Sequence, residues 1–267
     1  MNDLVPDHGR TLRRAWSTGR YPSLAPNLLQ PIANLVHAGG IEPDDDVLDV
    51  GCGTGNVALT AGRNQANVVG IDLTRQMLDL AEKSSSLAGL NRLTWIEGDA
   101  QQLPFKPASF DVVLSNFGHI FAPSVERATS EMIRVTRPEG RVAFTAWTPT
   151  GIVGELAALL VDYTEGAENP LTGSLQWGDP THVRNHTDHI RDLTFERRIA
   201  RFRYVSPAHF WQEFAEESGP LSPVIGSVAD TEGTKANLRD DALELLEDWF
   251  ADNAIRVEYL LVKAIVE

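Results

Sequence analysis

Val47-Leu48-Asp49-Val50-Gly51-Cys52-Gly53-Thr54-Gly55-Asn56 is the stretch on which the reading of this chain turns. A short apolar strand, Val47–Val50, runs into a turn with glycine at every second position. A helix is predicted from Thr54 to Gly62. Such a turn lets backbone approach a ligand closely, because glycine has no side chain in the way and tolerates positive φ. It is expected to expose N–H groups beside a helix start, where an anionic group is favoured. The dinucleotide fingerprint is G-x-G-x-x-G. Gly51 and Gly53 match its first two glycines, but Asn56 stands where the third should be. The pattern present is G-x-G-x-G, which fits a nucleoside ligand or a tight strand-to-helix turn that holds none.

The residues on either side decide what kind of sheet this turn belongs to. Strands are predicted at Asn67–Ile71, Leu93–Glu97, Phe110–Ser115 and Arg141–Trp147, with helices at Thr74–Ala88 and Val125–Thr136 between them. The second helix is expected to close on the turn Arg137-Pro138-Glu139-Gly140. This alternation means a doubly wound α/β architecture, with a mostly parallel sheet covered on both faces. After Thr150 the rhythm changes. A helix at Gly154–Tyr163 precedes a loop-like stretch, Thr164 to Pro180. A half-wet strand follows at Leu193–Val205, then helices near 207–218 and 238–251, and a last strand at Val257–Val266. The last two strands extend the sheet as an antiparallel pair, for seven strands in all. Three regions follow: an N-terminal helical lid (1–40), an α/β core that binds the ligand (41–150), and helices with the final two strands of the same sheet (151–267).

Three acidic or amide residues fall where a nucleoside needs them. Asp72 ends the second strand, where a carboxylate can accept both ribose hydroxyls. It could equally cap the helix that starts near Thr74. Asp99 follows the third strand, where it could accept from an exocyclic amine or simply shape a Gly-Asp turn. Asn116 ends the fourth strand. With the glycine turn, all lie at carboxyl ends of parallel strands, the edge at which open α/β sheets bind ligands.

The chain has 267 residues, with 23 Lys+Arg against 37 Asp+Glu and a formal net charge of −14. That balance argues against gripping nucleic acid, whose affinity comes mostly from Lys and Arg. The single cysteine, Cys52, excludes an intrachain disulfide framework and fits a reducing, cytoplasmic compartment. No apolar run has the length of a signal peptide or a bilayer span. The basic strand Arg197, Arg198, Arg201, Arg203 reads as a solvated sheet face.

Gly51-Cys52-Gly53-Thr54-Gly55, then Asp72, then Gly98-Asp99-Ala100-Gln101-Gln102-Leu103-Pro104-Phe105, then Phe110-Asp111-Val112-Val113, resembles the class I S-adenosylmethionine-dependent methyltransferases. The likeness is greatest to their small-molecule branch, which includes the ubiquinone and menaquinone biosynthesis enzymes, and it spans about residues 45–148. It implies S-adenosyl-L-methionine as cofactor and a small-molecule acceptor, with no nucleic acid or membrane partner and a monomeric or homodimeric state. It implies that Gly51, Gly53 and Gly55 cradle the methionine part, with Cys52 among them, and that Asp49 supports the turn or the amino group. Asp72, beside Leu73, would hold the ribose. Asp99, Ala100 and Gln101 would face the adenine, and Asn116 and Phe117 would flank the sulfonium. The segment Trp16 to Tyr21 would close over the cofactor, with Tyr21 reaching the methionine carboxylate or the acceptor.

Methyl transfer from a sulfonium is an in-line displacement that needs mainly alignment. A general base is needed only where the acceptor holds its proton tightly. His119, just past the fourth strand, is the candidate base, with Tyr21 as a second catalytic candidate. Cys52 reads as a small buried filler and not a nucleophile. The run His209-Phe210-Trp211-x-x-Phe214 is core or, if it lines a pocket, the mark of an apolar or aromatic acceptor. His182, His186 and His189 have the spacing of one helix face, and imidazoles so placed can share a metal. No carboxylate or cysteine partner is legible beside them, so no metal site is expected. Two further readings compete with transfer: a binding module that keeps the cofactor but transfers nothing, and a nicotinamide-dependent oxidoreductase. The missing third glycine and the terminal strand speak against the latter.

Overall fold

The computed structural model describes Arg13, Trp16 and residues 24–164, 171–217, 224–226, 228 and 233–267. Tyr21 lies outside the described residues. Strand β1 (Asp46–Val50) sits mid-sheet, and Val47, Leu48 and Val50 are wholly buried because helices cover both faces. Around it lie β2 (Asn67–Asp72), β3 (Leu93–Glu97), β4 (Phe110–Asn116) and β5 (Thr136–Trp147). The order is β3-β2-β1-β4-β5-β8-β6, where β6 is Ile190–Arg203 and β8 is Ala254–Val266. The first five pair in parallel, and β8 runs antiparallel between β5 and β6. The mostly parallel, doubly wound sheet expected from the sequence is therefore present.

One strand more was found than expected. Phe250–Ala251 (β7) pairs with the start of β8. The two residues between them, Asp252 and Asn253, have φ of 52° and 54°. Two successive positive φ values make the tight hairpin turn that Asp and Asn tolerate. Three other boundaries moved. The helix after β4 ends at Val135, and Thr136–Gly140 belongs to β5, whose register breaks between Phe110 and Val112 of its neighbour. Phe110 pairs with Thr136 and Val112 with Arg141, so the turn-like Pro-Glu-Gly bulges out of the ladder, with Glu139 at φ 64°. The stretch read as loop, Thr164 to Pro180, contains a helix at Leu171–Gln176. The helix bearing His182 stops at Asn185, and His189 takes φ 59° beyond it. The three histidines therefore do not share a helix face.

The helices are α1 (Leu29–Gly39), α2 (Asn56–Gly62), α3 (Arg75–Leu87), α4 (Val125–Val135), α5 (Ile152–Tyr163), α6 (Leu171–Gln176), α7 (Pro180–Asn185), α8 (Pro207–Glu217) and α9 (Thr234–Trp249). Helix α1 packs onto the sheet through Ile32 and Leu35, and its Asn34 donates to the Tyr259 hydroxyl of β8 at 2.9 Å. On β6, Arg197 pairs with Glu258, Arg198 with Glu196 and Arg201 with Asp252, so its basic residues face solvent and acidic neighbours, as expected. No helix among the described residues is long and apolar enough to cross a membrane.

Candidate active site

The carboxyl ends of β1, β2 and β4 and the loop after β3 meet at one rim of the sheet. A hollow of about 270 Å³ opens there. Of the residues expected around the cofactor, Gly51, Gly53, Asp72, Leu73, Asp99 and Ala100 line it, and so do Gln101, Asn116 and Phe117. The sheet positions them because each lies at or just past the carboxyl end of a parallel strand.

The glycine turn is built for close approach. Gly51, Gly53 and Gly55 have φ of 66°, 52° and 83°, a region costly for other residues. The Gly51 Cα also passes so close to Gly118, after β4, that a Cβ on Gly118 would lie 2.7 Å from the Gly51 carbonyl oxygen. The expectation that the turn offers its N–H groups to a ligand is corrected. Gly51 and Cys52 both donate to the Ile71 carbonyl, at 2.9 and 3.0 Å, and Gly55 donates to that of Cys52 at 2.9 Å. Gly53 donates to Asp72 Oδ2 at 2.8 Å. Adjacent β2 takes the donors of Gly51, Cys52 and Gly53, and the turn itself takes that of Gly55, so what these glycines contribute is room.

Asp72 combines both roles considered for it. Its Oδ1 accepts from the backbone N–H and the hydroxyl of Thr74, each at 2.9 Å, which makes it a turn-capping group ahead of α3. Its side chain also lines the hollow. Burial pushes its pKa up, against the bonds from Thr74 and Gly53 and the nearby Arg13 charge, which pull it down. A carboxylate has about four acceptor sites, so three protein donors leave capacity for a hydroxyl. Asp99 is exposed and accepts from the Gln101 N–H at 2.8 Å. Gln101 in turn accepts from the Ser124 N–H at 3.0 Å, which ties this loop to the start of α4.

Asp49, Cys52 and Gly55 stand behind the hollow and do not line it. Asp49 is wholly buried, and its Oδ2 accepts from Ala58 N–H at 3.0 Å, which fastens α2 to β1. Its Oδ1 has no partner among the described residues. Burial pushes its pKa up to about 8, against the pull of the Ala58 bond. Cys52 is buried, its Sγ would sit 3.0 Å from a Cβ on Gly70, and its thiol pKa is raised, first by burial and then by the two aspartates. It fills space, as expected, and is not part of the lining.

His119 is a second correction. It lies wholly buried behind the wall of the hollow, with its ring edge-on to Phe144 (4.6 Å) and Trp177 (6.1 Å). Neither ring nitrogen has a partner among the described residues, and burial drives its pKa down to about 3. In the 3-10 turn His119–Phe121 the first two residues are buried, while Phe121 lines the hollow. His119 cannot reach an acceptor in the hollow.

The other half of the hollow is apolar. Phe117 holds φ 55°, an unusual conformation for an aromatic residue. It is kept there by its N–H donating to Thr145 Oγ1 (3.0 Å) and by its ring stacking on Trp147, with centroids 3.7 Å apart and planes at 9°. Strain of this kind survives only where the surroundings impose it, and it clusters at functional sites. Phe202, Phe210, Phe214 and Val257 complete that wall. Phe210 and Phe214 lie one turn apart on α8 and stack at 5.4 Å. His209 points elsewhere, to Glu213 at 3.3 Å. Trp16, from the segment expected to close over the cofactor, lines the hollow, and so does Arg13 before it; Arg13 pairs with Glu97, and Trp16 packs edge-on against Phe121 at 5.2 Å. Trp147, Phe202, Leu171 and Arg13 were not singled out in the sequence. Apolar residues on strands read alike whether they face core or cavity.

Residues 47–140 match the model of a methyltransferase domain. Over 257 residues the chain is 34% identical to an uncharacterised protein of Mycobacterium tuberculosis (strain H37Rv), covering 95% of this chain and 93% of that one. The chain belongs to the same family as that mycobacterial protein and carries a methyltransferase domain. Its likeness to the demethylmenaquinone methyltransferase of Lactobacillus johnsonii is 34% over 106 residues, 38% of this chain and 43% of that enzyme. The methyltransferase fold is shared with phosphoethanolamine N-methyltransferase 2 of Haemonchus contortus, solved with S-adenosyl-L-methionine. That structure superposes with a TM-score of 0.57 at 18% identity, covering 89% of this chain and 52% of that one.

Proposed function

We propose that this methyltransferase uses S-adenosyl-L-methionine to methylate a small, apolar or aromatic acceptor. One observation carries the reading: a single hollow has two unlike halves, a glycine and carboxylate rim at the strand ends and a wall of aromatic rings. The rim residues fit the cofactor. Asp72 keeps acceptor capacity beside a turn with no side chains in the way, Asp99 is exposed at the next strand end, and both carboxylates suit hydroxyl and amine donors. Phe117 and Asn116 stand between the halves, where the reacting atoms would meet.

When bound, the cofactor supplies an activated methyl group on sulfur. The chain's own task is to align and to exclude water. The stacked Phe117–Trp147 pair gives a flat, rigid face against which an acceptor ring can lie. Phe210 and Phe214 on α8, with Trp16 above Phe121, surround the remaining sides. Alignment to near-attack distance is worth orders of magnitude in rate. Transfer removes the cofactor's positive charge, so an apolar surround does not oppose it. With His119 sealed off, the acceptor brings a nucleophile that needs no proton taken by that histidine.

The test has two stages. S-adenosylhomocysteine is expected to raise the melting temperature, and NADH is not. Labelled S-adenosylmethionine incubated with protein and a cell extract is expected to give a labelled small molecule. Stabilisation by S-adenosylhomocysteine without any labelled product would mean a binding module. Stabilisation by NADH alone would overturn the assignment.

A further inference from the structure

We propose that Glu126, His182 and His186 form a site for one divalent transition-metal ion of the zinc class, separate from the cofactor hollow. The sequence offers two imidazoles four residues apart; the fold adds the carboxylate. Glu126 sits in the first turn of α4, and one ligand atom from each of the three residues lies within 4.8 Å of the others.

The hydrogen bonding around both imidazoles suits a metal ligand. His186 Nδ1 lies 2.8 Å from the His182 carbonyl oxygen. A carbonyl only accepts, so Nδ1 carries the proton and Nε2 presents its lone pair; a backbone carbonyl bonded in this way is the usual support of a metal-binding histidine. His182 Nε2 is buried and has no hydrogen-bond partner among the described residues, a costly state for a polar atom. The two rings stack, with centroids 3.9 Å apart and planes at 22°.

A second line of observation lies behind the cluster. Trp177 is wholly buried and edge-on to His182 at 5.5 Å, with its indole N–H also unpartnered among the described residues. Its other side meets His119 at 6.1 Å. A rigid aromatic stack therefore backs the imidazoles and limits their rotation. Ligand atoms around one zinc lie roughly 3.3 Å apart, given bonds of about 2.0–2.1 Å. Glu126 is exposed, and a turn of its carboxylate towards the two imidazoles closes the remaining distance. Two nitrogens and one carboxylate suit zinc, cobalt or nickel, whereas magnesium and calcium prefer all-oxygen sets. The fourth position is left to water. The ion's role is structural: it fastens α7, which follows Trp177, to the start of α4, next to Phe121 and Pro123 on the wall of the hollow.

The experiment uses the full chain after chelator treatment and dialysis. Titration with zinc chloride by calorimetry is expected to give one site of micromolar affinity or tighter, and zinc is expected to raise the melting temperature. Cobalt is expected to give the visible absorption of a low-coordinate site. His186→Ala and Glu126→Gln, both on the surface, should each weaken binding about tenfold or more while leaving the metal-free melting temperature unchanged. His189→Ala should bind as the parent does. Binding only at millimolar zinc, or binding that survives His186→Ala, or binding lost with His189→Ala, overturns the site. None of these readouts depends on methyl transfer.

Discussion

The Asp72 carboxylate accepts a hydrogen bond from the Gly53 N–H at 2.8 Å, so the residue proposed to hold the cofactor ribose also straps the glycine turn in place. One side chain thus couples the shape of the cradle to its chemistry.

Replacing Asp72 with Ala is therefore expected to have two effects. Loss of the bonds to Gly53 and Thr74, in a buried setting, lowers stability by about 1–3 kcal/mol. Affinity for S-adenosylhomocysteine falls about tenfold or more, since a charge-assisted bond of this kind is worth at least ~1.4 kcal/mol. Chemical denaturation and calorimetry on the same variant separate the two. Unchanged affinity in a folded variant would remove Asp72 from the binding site.

Gly118→Ala tests the crossing of the two loops. Its Cβ would lie 2.7 Å from the carbonyl oxygens of both Val50 and Gly51. Backbone has to move, at about 1–3 kcal/mol, and the cradle moves with it. The expected result is a lower melting temperature with weak S-adenosylhomocysteine binding. Parent-like values for both would mean that the two loops yield without consequence.

Trp147→Leu removes the face on which Phe117 stacks. It is expected to cost stability by about 3 kcal/mol and, once an acceptor is in hand, to raise its KM by about tenfold. S-adenosylhomocysteine affinity should stay within about twofold, because Trp147 belongs to the aromatic half of the hollow. Equal losses for cofactor and acceptor would contradict the division into two halves.

His119 gives a pH prediction. Burial lowers its pKa from 6.5 to about 3, so between those values the unfolded chain binds a proton that the folded chain does not. Its contribution is intact above pH 6.5 and is lost as pH falls towards 3, by up to about 1.4 kcal/mol per unit. Asp49 tilts the other way: with its pKa raised from 3.8 to about 8, it costs stability as pH rises between them. The readout is therefore the difference between parent and His119→Phe across pH 4–8. The variant should lose less stability on the acid side, and its methyl transfer should stay within a few-fold of the parent. A collapse of kcat would restore His119 as a base.

The local chain settled the elements of the parallel core and which end of the sheet carries the hollow. Alternating apolar strands and amphipathic helices permit little besides a doubly wound sheet, and Gly51, Gly53, Asp72, Asp99 and Asn116 advertise its rim because strand ends and glycine turns are short-range features. What faces the hollow beyond that rim was decided only by tertiary packing. Trp147, Phe202 and Phe210 carry the same apolar signature as core residues, since burial against protein and burial around a cavity obey the same hydrophobic rule. His119 looked catalytic by position, but the 3-10 turn rotated it into the interior. Glu126 comes beside His182 and His186 although they lie 56 and 60 residues further along the chain, a meeting that no local pattern encodes. Even the Gly51 and Cys52 donors of the glycine turn were claimed by Ile71, a partner that exists only once two strands lie side by side.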